Sequence, residues 1–135
     1  MSPQSWLSSK RQSLIAHIQE GRDGSCRKLM NNTVVRYSPY DDEEEYAKVI
    51  IKYHNTDVIE YGHDYIYIDC KGWLTPTTKL RLNNHTPFKF WSAKGEWYFA
   101  IPCDGYEMIY DYVDGIQFTA CPESWDMSTV KVGAV

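Results

Sequence analysis

The segment from Phe88 to Ile101, FKFWSAKGEWYFAI, restricts the fold more than any other part of the chain. Two aromatic-rich runs flank Lys94-Gly95, a dipeptide suited to a two-residue turn, so Phe88–Ala93 and Glu96–Ile101 read as a β-hairpin. That loop length sets the register. Ser92 faces Trp97, Phe90 faces Phe99 and Phe88 faces Ile101 on the inner side, while Trp91 meets Tyr98 on the other side with Lys89 nearby. A slip of one residue would turn both faces over, so the pairing is strongly specified.

Strand signals recur along the chain. Tyr65–Cys70 alternates Ile66, Ile68 and Cys70 with Tyr65, Tyr67 and Asp69, the period of a sheet with one apolar and one mixed face. Thr33–Tyr37, Lys48–Tyr53 and Asp57–Tyr61 are further strands, and Met108–Tyr112 with Ile116–Thr119 reads as a last pair around Asp114-Gly115. Aromatic residues at 15%, including eleven tyrosines and five tryptophans, fit half-buried pleated surfaces. Two segments read as helices. Ser5–Glu20 carries Leu7, Leu14, Ile15 and Ile18 at helical spacing and stops at Gly21 and Gly24. Thr75 suits an N-cap and Pro76 a first helical position, with the asparagines at 83 and 84 ending a second helix. The fold class is therefore α+β. A mostly antiparallel sheet, curled toward a barrel at the limit, carries both helices, in one domain of 135 residues. Residues 1–22 form the N-terminal helix, 33–119 the β core, and 120–135 a tail that is either a docked strand or loose.

Composition narrows the function. A net charge of −4 and a pI of about 5.5 argue against a broad grip on duplex nucleic acid, leaving room for a small local phosphate site. Cys26, Cys70, Cys103 and Cys121 are too widely spaced for a zinc motif and read as free thiols of a cytosolic protein. No run approaches the roughly 18 apolar residues of a membrane span. No cofactor or metal is expected.

Four groups of residues could carry function. Thr75, Thr77 and Thr78 with Lys79 and Arg81 around a helix start hold the ingredients of an anion site, but equally those of a capped structural helix with solvated cations. Asp41, Asp42, Glu43, Glu44 and Glu45 form a like-charge run of the kind found in solvated loops. His54 and His63, with Asp57, Glu60 and Asp64, suggest a metal-dependent hydrolase or simple turn chemistry; strand alternation puts Asp57 and Glu60 on opposite faces. Trp91 and Tyr98, with Tyr65 and Tyr67, could stack bases, anchor a protein interface, or lie beneath the N-terminal helix.

The order of motifs from Thr33 to Thr119 resembles a small protein family of tailed phages. The likeness runs through NTVVRYSPY, KYHNTDVIEY, GWLTPTTKLRLNN, FWSAKGEWYFA and DGIQFTA, and is most specific at Gly72, Trp73, Thr75, Thr77, Thr78, Lys79, Arg81 and Asn83. Lys71 stands where members often carry a glycine. The resemblance implies a phage origin and a host-cytoplasm setting rather than a reaction. It also implies that Trp73 and Leu74 pack the turn on the sheet, that Leu80 and Leu82 anchor the helix, and that Lys79 and Arg81 face outward. The expectation is a non-enzymatic accessory protein that binds a host or phage protein of the nucleic-acid or defence machinery. The acidic run would meet a basic surface and the Lys79/Arg81 turn an acidic one. A nucleic-acid or nucleotide-binding module, a virion component and a metal-dependent hydrolase are the alternatives.

Overall fold

A computed structural model describes residues 2–22, 24–40, 43–103 and 105–129. Helix α1 (Pro3–Gln19) starts at Ser2, whose side chain accepts from the Ser5 amide, with Pro3 in the first turn where its missing N–H costs nothing. Leu7, Leu14 and Ile18 fall on one face and are buried. There follow β1 (Cys26–Met30), β2 (Thr33–Tyr40), β3 (Glu43–Tyr53), β4 (Thr56–Tyr61), β5 (Tyr65–Ile68), α2 (Pro76–His85), β6 (Lys89–Ala93), β7 (Glu96–Cys103), β8 (Tyr106–Asp111), β9 (Ile116–Ala120) and β10 (Trp125–Thr129). The class is α+β, with every strand pairing antiparallel.

The strands form two sheets. The larger runs in the order β1-β2-β3-β4-β5-β9-β10 and the smaller in the order β6-β7-β8, so α2 and the small sheet are an excursion between two neighbouring strands of the large one. One core lies between them. Val35, Val49, Ile51, Ile59, Tyr61, Ile66, Ile68, Ile116 and Phe118 cover the inner face of the large sheet. Phe88, Phe90, Phe99 and Ile101 come from the small sheet and its approach, and α1 and Leu82 of α2 complete the cluster. Phe118 touches both Phe88 and Phe99 at ring-centroid distances of 4.1 and 5.4 Å, so the two sheets share an aromatic seam.

The hairpin register is as the sequence predicts: Phe90 pairs with Phe99, Trp91 with Tyr98 and Ser92 with Trp97, around Lys94 and Gly95 at φ 54° and 80°. Other expectations need correction. Met108–Tyr112 and Ile116–Thr119 do not pair; β8 joins β7 in the small sheet, and β9 sits between β5 and β10 in the large one. Asp114 lies where the chain passes from one sheet to the other, and accepts there from the Cys70 and Gly72 amides. Strand β1 escapes the sequence reading, since CRKLM is short, basic and lacks clean alternation; Arg27 fastens it to α1 through the His17 carbonyl at 3.0 Å. The 120–135 stretch supplies β10. The acidic run is not a long loop either: β2 reaches Tyr40 and β3 begins at Glu43, so Glu43, Glu44 and Glu45 are strand residues. Asp41 and Asp42 lie outside the described residues.

Candidate functional site

The threonine-rich corner begins where β5 ends. Asp69 and Asp114 take three successive backbone amides: Asp114 accepts from Cys70 at 2.8 Å and Gly72 at 2.9 Å, and Asp69 accepts from Lys71 at 2.9 Å. Tyr112 donates a further 2.6 Å bond to Asp114. Lys71 and Gly72 both adopt positive φ, 51° and 82°, which explains a glycine preference at either position. The amides that would greet an external anion here are occupied by the protein's own carboxylates. Cys70 is fully buried beneath the turn, and desolvation pushes its thiol up to about 12, so it is no nucleophile at neutral pH.

The helix that follows turns its polar residues inward. Thr75 caps it, accepting from the Thr78 amide at 3.2 Å, and Thr78 is completely buried. Arg81 does not face outward. It is 5% exposed, donates to the Thr33 hydroxyl at 2.9 Å and the Asn31 carbonyl at 3.3 Å, and lies 5.2 Å from the centre of the Tyr53 ring. Lys79 donates to Ser92 at 2.7 Å and sits over Trp97 at 5.4 Å. Asn83 accepts from the Phe90 amide at 2.6 Å and donates to its carbonyl at 3.0 Å, acting as a strand neighbour for β6. Lys79, Arg81 and Asn83 therefore tie α2 to both sheets.

Helical spacing is the physical reason. Leu80 and Leu82 cannot share a face, because residues two apart point in different directions. Leu82 goes in, taking Thr78 and Arg81 with it at helical spacing, and Leu80 stays 51% exposed. Trp73 and Leu74 do not pack the turn on the sheet either, being 65% and 41% exposed. Their corner borders a cleft of about 430 Å³ lined by Tyr53, His54, Val58, Trp73, Thr75 and Thr78, among others. Tyr53 and His54 form one wall, their rings 4.4 Å apart and tilted by 56°. The sequence reading missed this apolar corner; the i, i+2 spacing of the two leucines was the signal available.

The remaining candidates are dispersed. Asp57 and Glu60 lie on the same face, not opposite ones. A bulge between Ile51 and Lys52 on β3 inserts Val58, which lets Val58 and Ile59 both enter the core and restores the parity of the two acids. Asp57 forms a two-pronged pair with Arg36 at 2.6 and 2.8 Å, which draws its carboxyl below the ordinary range. Glu60 accepts from Tyr65 at 2.6 Å. His54 and His63 stand beyond opposite ends of β4, roughly 20 Å of extended chain, too far to share an ion. Among the described residues no group of three His, Cys, Asp or Glu is arranged to hold a metal. Trp91 and Tyr98 stack on each other at 6.0 Å, half-buried and outside the core cluster, while α1 packs against β1, β2, β3 and β9 instead.

A family model described as the Kyanoviridae Gp96 protein matches residues 10–119, most of the chain and nearly all of its core. The chain belongs to the Kyanoviridae Gp96 family. It is thus a phage protein, and the phage-type resemblance read from its motifs agrees with that assignment. Comparison with curated proteins and with solved structures yields no match. The residues of the Gp96 match span every element described here except β10 and the first turns of α1. No helix among the described residues is long and apolar enough to cross a membrane.

Proposed function

We propose that this Gp96-family protein is a non-enzymatic accessory protein of the phage, acting in the host cytoplasm by binding a protein of the host or phage nucleic-acid or defence machinery. The contact surface is the Trp73 corner together with the cleft beside it. The observation that carries this reading is the 65% exposure of Trp73 on a turn braced by two carboxylates. A rigid backbone that presents a large aromatic ring lowers the ordering cost of binding, and tryptophans of this kind anchor protein interfaces. Leu74, next to it in the chain, and Leu80, on the helix that follows, are exposed as well, at 41% and 51%. Direct binding of nucleic acid through Thr75, Thr77, Lys79 and Arg81 draws little support, because Arg81 is buried and Lys79 is engaged with Ser92 and Trp97.

Affinity purification from infected cells, with nuclease treatment, tests the proposal. A protein partner that survives nuclease and is lost from Trp73→Ala combined with Leu80→Ser is the expected outcome. Release of everything by nuclease, or equal recovery by the variant, would refute it. The variant should fold normally, since both side chains lie largely outside the core.

A further inference from the structure

The edge of the small sheet is a second exposed surface, and its cleft shares no lining residue with the one beside Trp73. Strand β8 hydrogen-bonds to β7 along one side and, among the described residues, to no strand along the other. Its pairing with β7 runs without a bulge from Tyr98–Asp111 to Cys103–Tyr106, and it contains neither proline nor lysine. Bulges, prolines and lysines are among the devices that protect an edge from foreign strands; the charges of this one, Glu107 and Asp111, are acidic and deter only strands that are not cationic. Tyr106 and Ile109 are 62% and 60% exposed there, with Met108 also exposed.

The two faces of this edge differ. Met108 and Tyr110 lie on the inner face opposite Ile101 and Phe99, and they open into a cleft of about 620 Å³ that also takes in Cys103, Tyr106 and Trp125. Glu107, Ile109 and Asp111 occupy the outer face by alternation, and Glu123 stands at the rim of the cleft. Lys89 meets Glu107 across the small sheet at 3.4 Å, but that carboxylate remains 48% exposed. The edge is therefore a template with no bulge, proline or lysine, apolar on its inner side and carrying two carboxylates beside Ile109 on its outer side.

We propose that β8 accepts an extended cationic segment of another protein as a fourth strand. Its alternate apolar side chains enter the cleft at Ile101, Met108 and Trp125, and its basic residues meet Glu107 and Asp111. Backbone pairing supplies affinity and the cleft supplies selectivity, as in other strand-addition complexes. Charge excludes a second copy as the occupant, because that arrangement would gather the Glu107 and Asp111 carboxylates of both chains in one continuous sheet.

The test uses the full chain and three short synthetic peptides: one alternating lysine with valine, one alternating glutamate with valine, and a lysine–valine peptide interrupted by prolines. Binding is read by fluorescence anisotropy, and amide hydrogen exchange locates it. The lysine–valine peptide is expected to bind and to protect the amides of Tyr106–Asp111, while the other two leave them exchanging. Met108→Arg, and separately Glu107→Gln with Asp111→Asn, should each weaken binding about tenfold, equivalent to roughly 1.4 kcal/mol. Both substitutions are at exposed positions, and unchanged protection of β7 and β9 checks that the fold survives. Equal binding by the proline-interrupted peptide would reduce the effect to charge alone and overturn the proposal. So would protection elsewhere, indifference to the substitutions, or β8 protection that instead follows self-association in sedimentation.

Discussion

Arg81 shows what a buried cation costs and what it does. Its guanidinium meets no carboxylate among its contacts, only the Thr33 hydroxyl, the Asn31 carbonyl and the face of Tyr53. Arg81→Ala should lower unfolding free energy by about 2–3 kcal/mol, since it opens a gap and strands buried acceptors. Arg81→Lys should recover little, because an ammonium lacks the planar fork. Urea denaturation of the two variants checks both statements. His85 lies close by, where burial and the charges of Lys10 and Arg81 hold its pKa near 4 instead of 6.5. Its Nδ1 faces the Lys10 ammonium at 3.2 Å, so the neutral ring accepts that bond. Because the folded value is depressed, the unfolded chain takes up a proton first as pH falls. Stability should be full above about pH 6.5 and decline between there and about pH 4, by roughly 1–2 kcal/mol after screening by solvent. Denaturant titrations at about pH 5 and about pH 7.5 should show the difference, and His85→Gln should flatten it. Asp57, held low by Arg36, acts only at more acidic pH.

At the scale of elements, α2 works as a cross-tie. Asn83 pairs with both backbone groups of Phe90, Thr86 returns its hydroxyl to the Leu82 carbonyl at 2.7 Å, and Tyr61 donates to the His85 carbonyl. Asn83→Ala should cost about 1–2 kcal/mol and raise hydrogen exchange at Phe90 before it does so in the large sheet. The Asp114 turn is the second tie. It joins the end of the small sheet to the start of the Trp73 corner, so two motifs distant in sequence, Gly72-Trp73 and Asp114-Gly115, meet through one carboxylate. Asp114→Asn keeps the shape but replaces one acceptor oxygen by a donor. It should destabilise by about 1–3 kcal/mol and shift the fluorescence of Trp73, whereas Trp73→Ala should leave stability nearly unchanged.

For the molecule as a whole, the excursion of α2 and the small sheet between β5 and β9 makes one cooperative unit out of two sheets. Phe118 is fully buried in the seam, and Phe118→Ala should cost about 3–5 kcal/mol. Far-UV circular dichroism and tryptophan fluorescence should then report a single, coincident transition in wild type and variant alike, because neither sheet closes a core without the other. Two separate transitions would show the sheets to be independent.

The class of fold, the hairpin and its register, and the N-cap of α2 were legible in the sequence, because each depends on residues close along the chain: Lys94-Gly95 for the turn, alternation for the faces, Thr75-Pro76 for the helix start. The end of α2 was not, since Asn83 and Asn84 do not stop the helix, which runs to His85 with Thr86 as its C-cap. What tertiary structure alone decided were the long-range choices. The partner of β9, the bulge that returns Asp57 and Glu60 to one face, the burial of Arg81 against Thr33 and the filling of the 70–72 amides by Asp69 and Asp114 all turn on groups brought together by folding. Local pattern states which side chains are polar. Only packing states whether a polar group meets water or another part of the same chain, and here that difference moved the candidate contact surface from the cationic residues to Trp73.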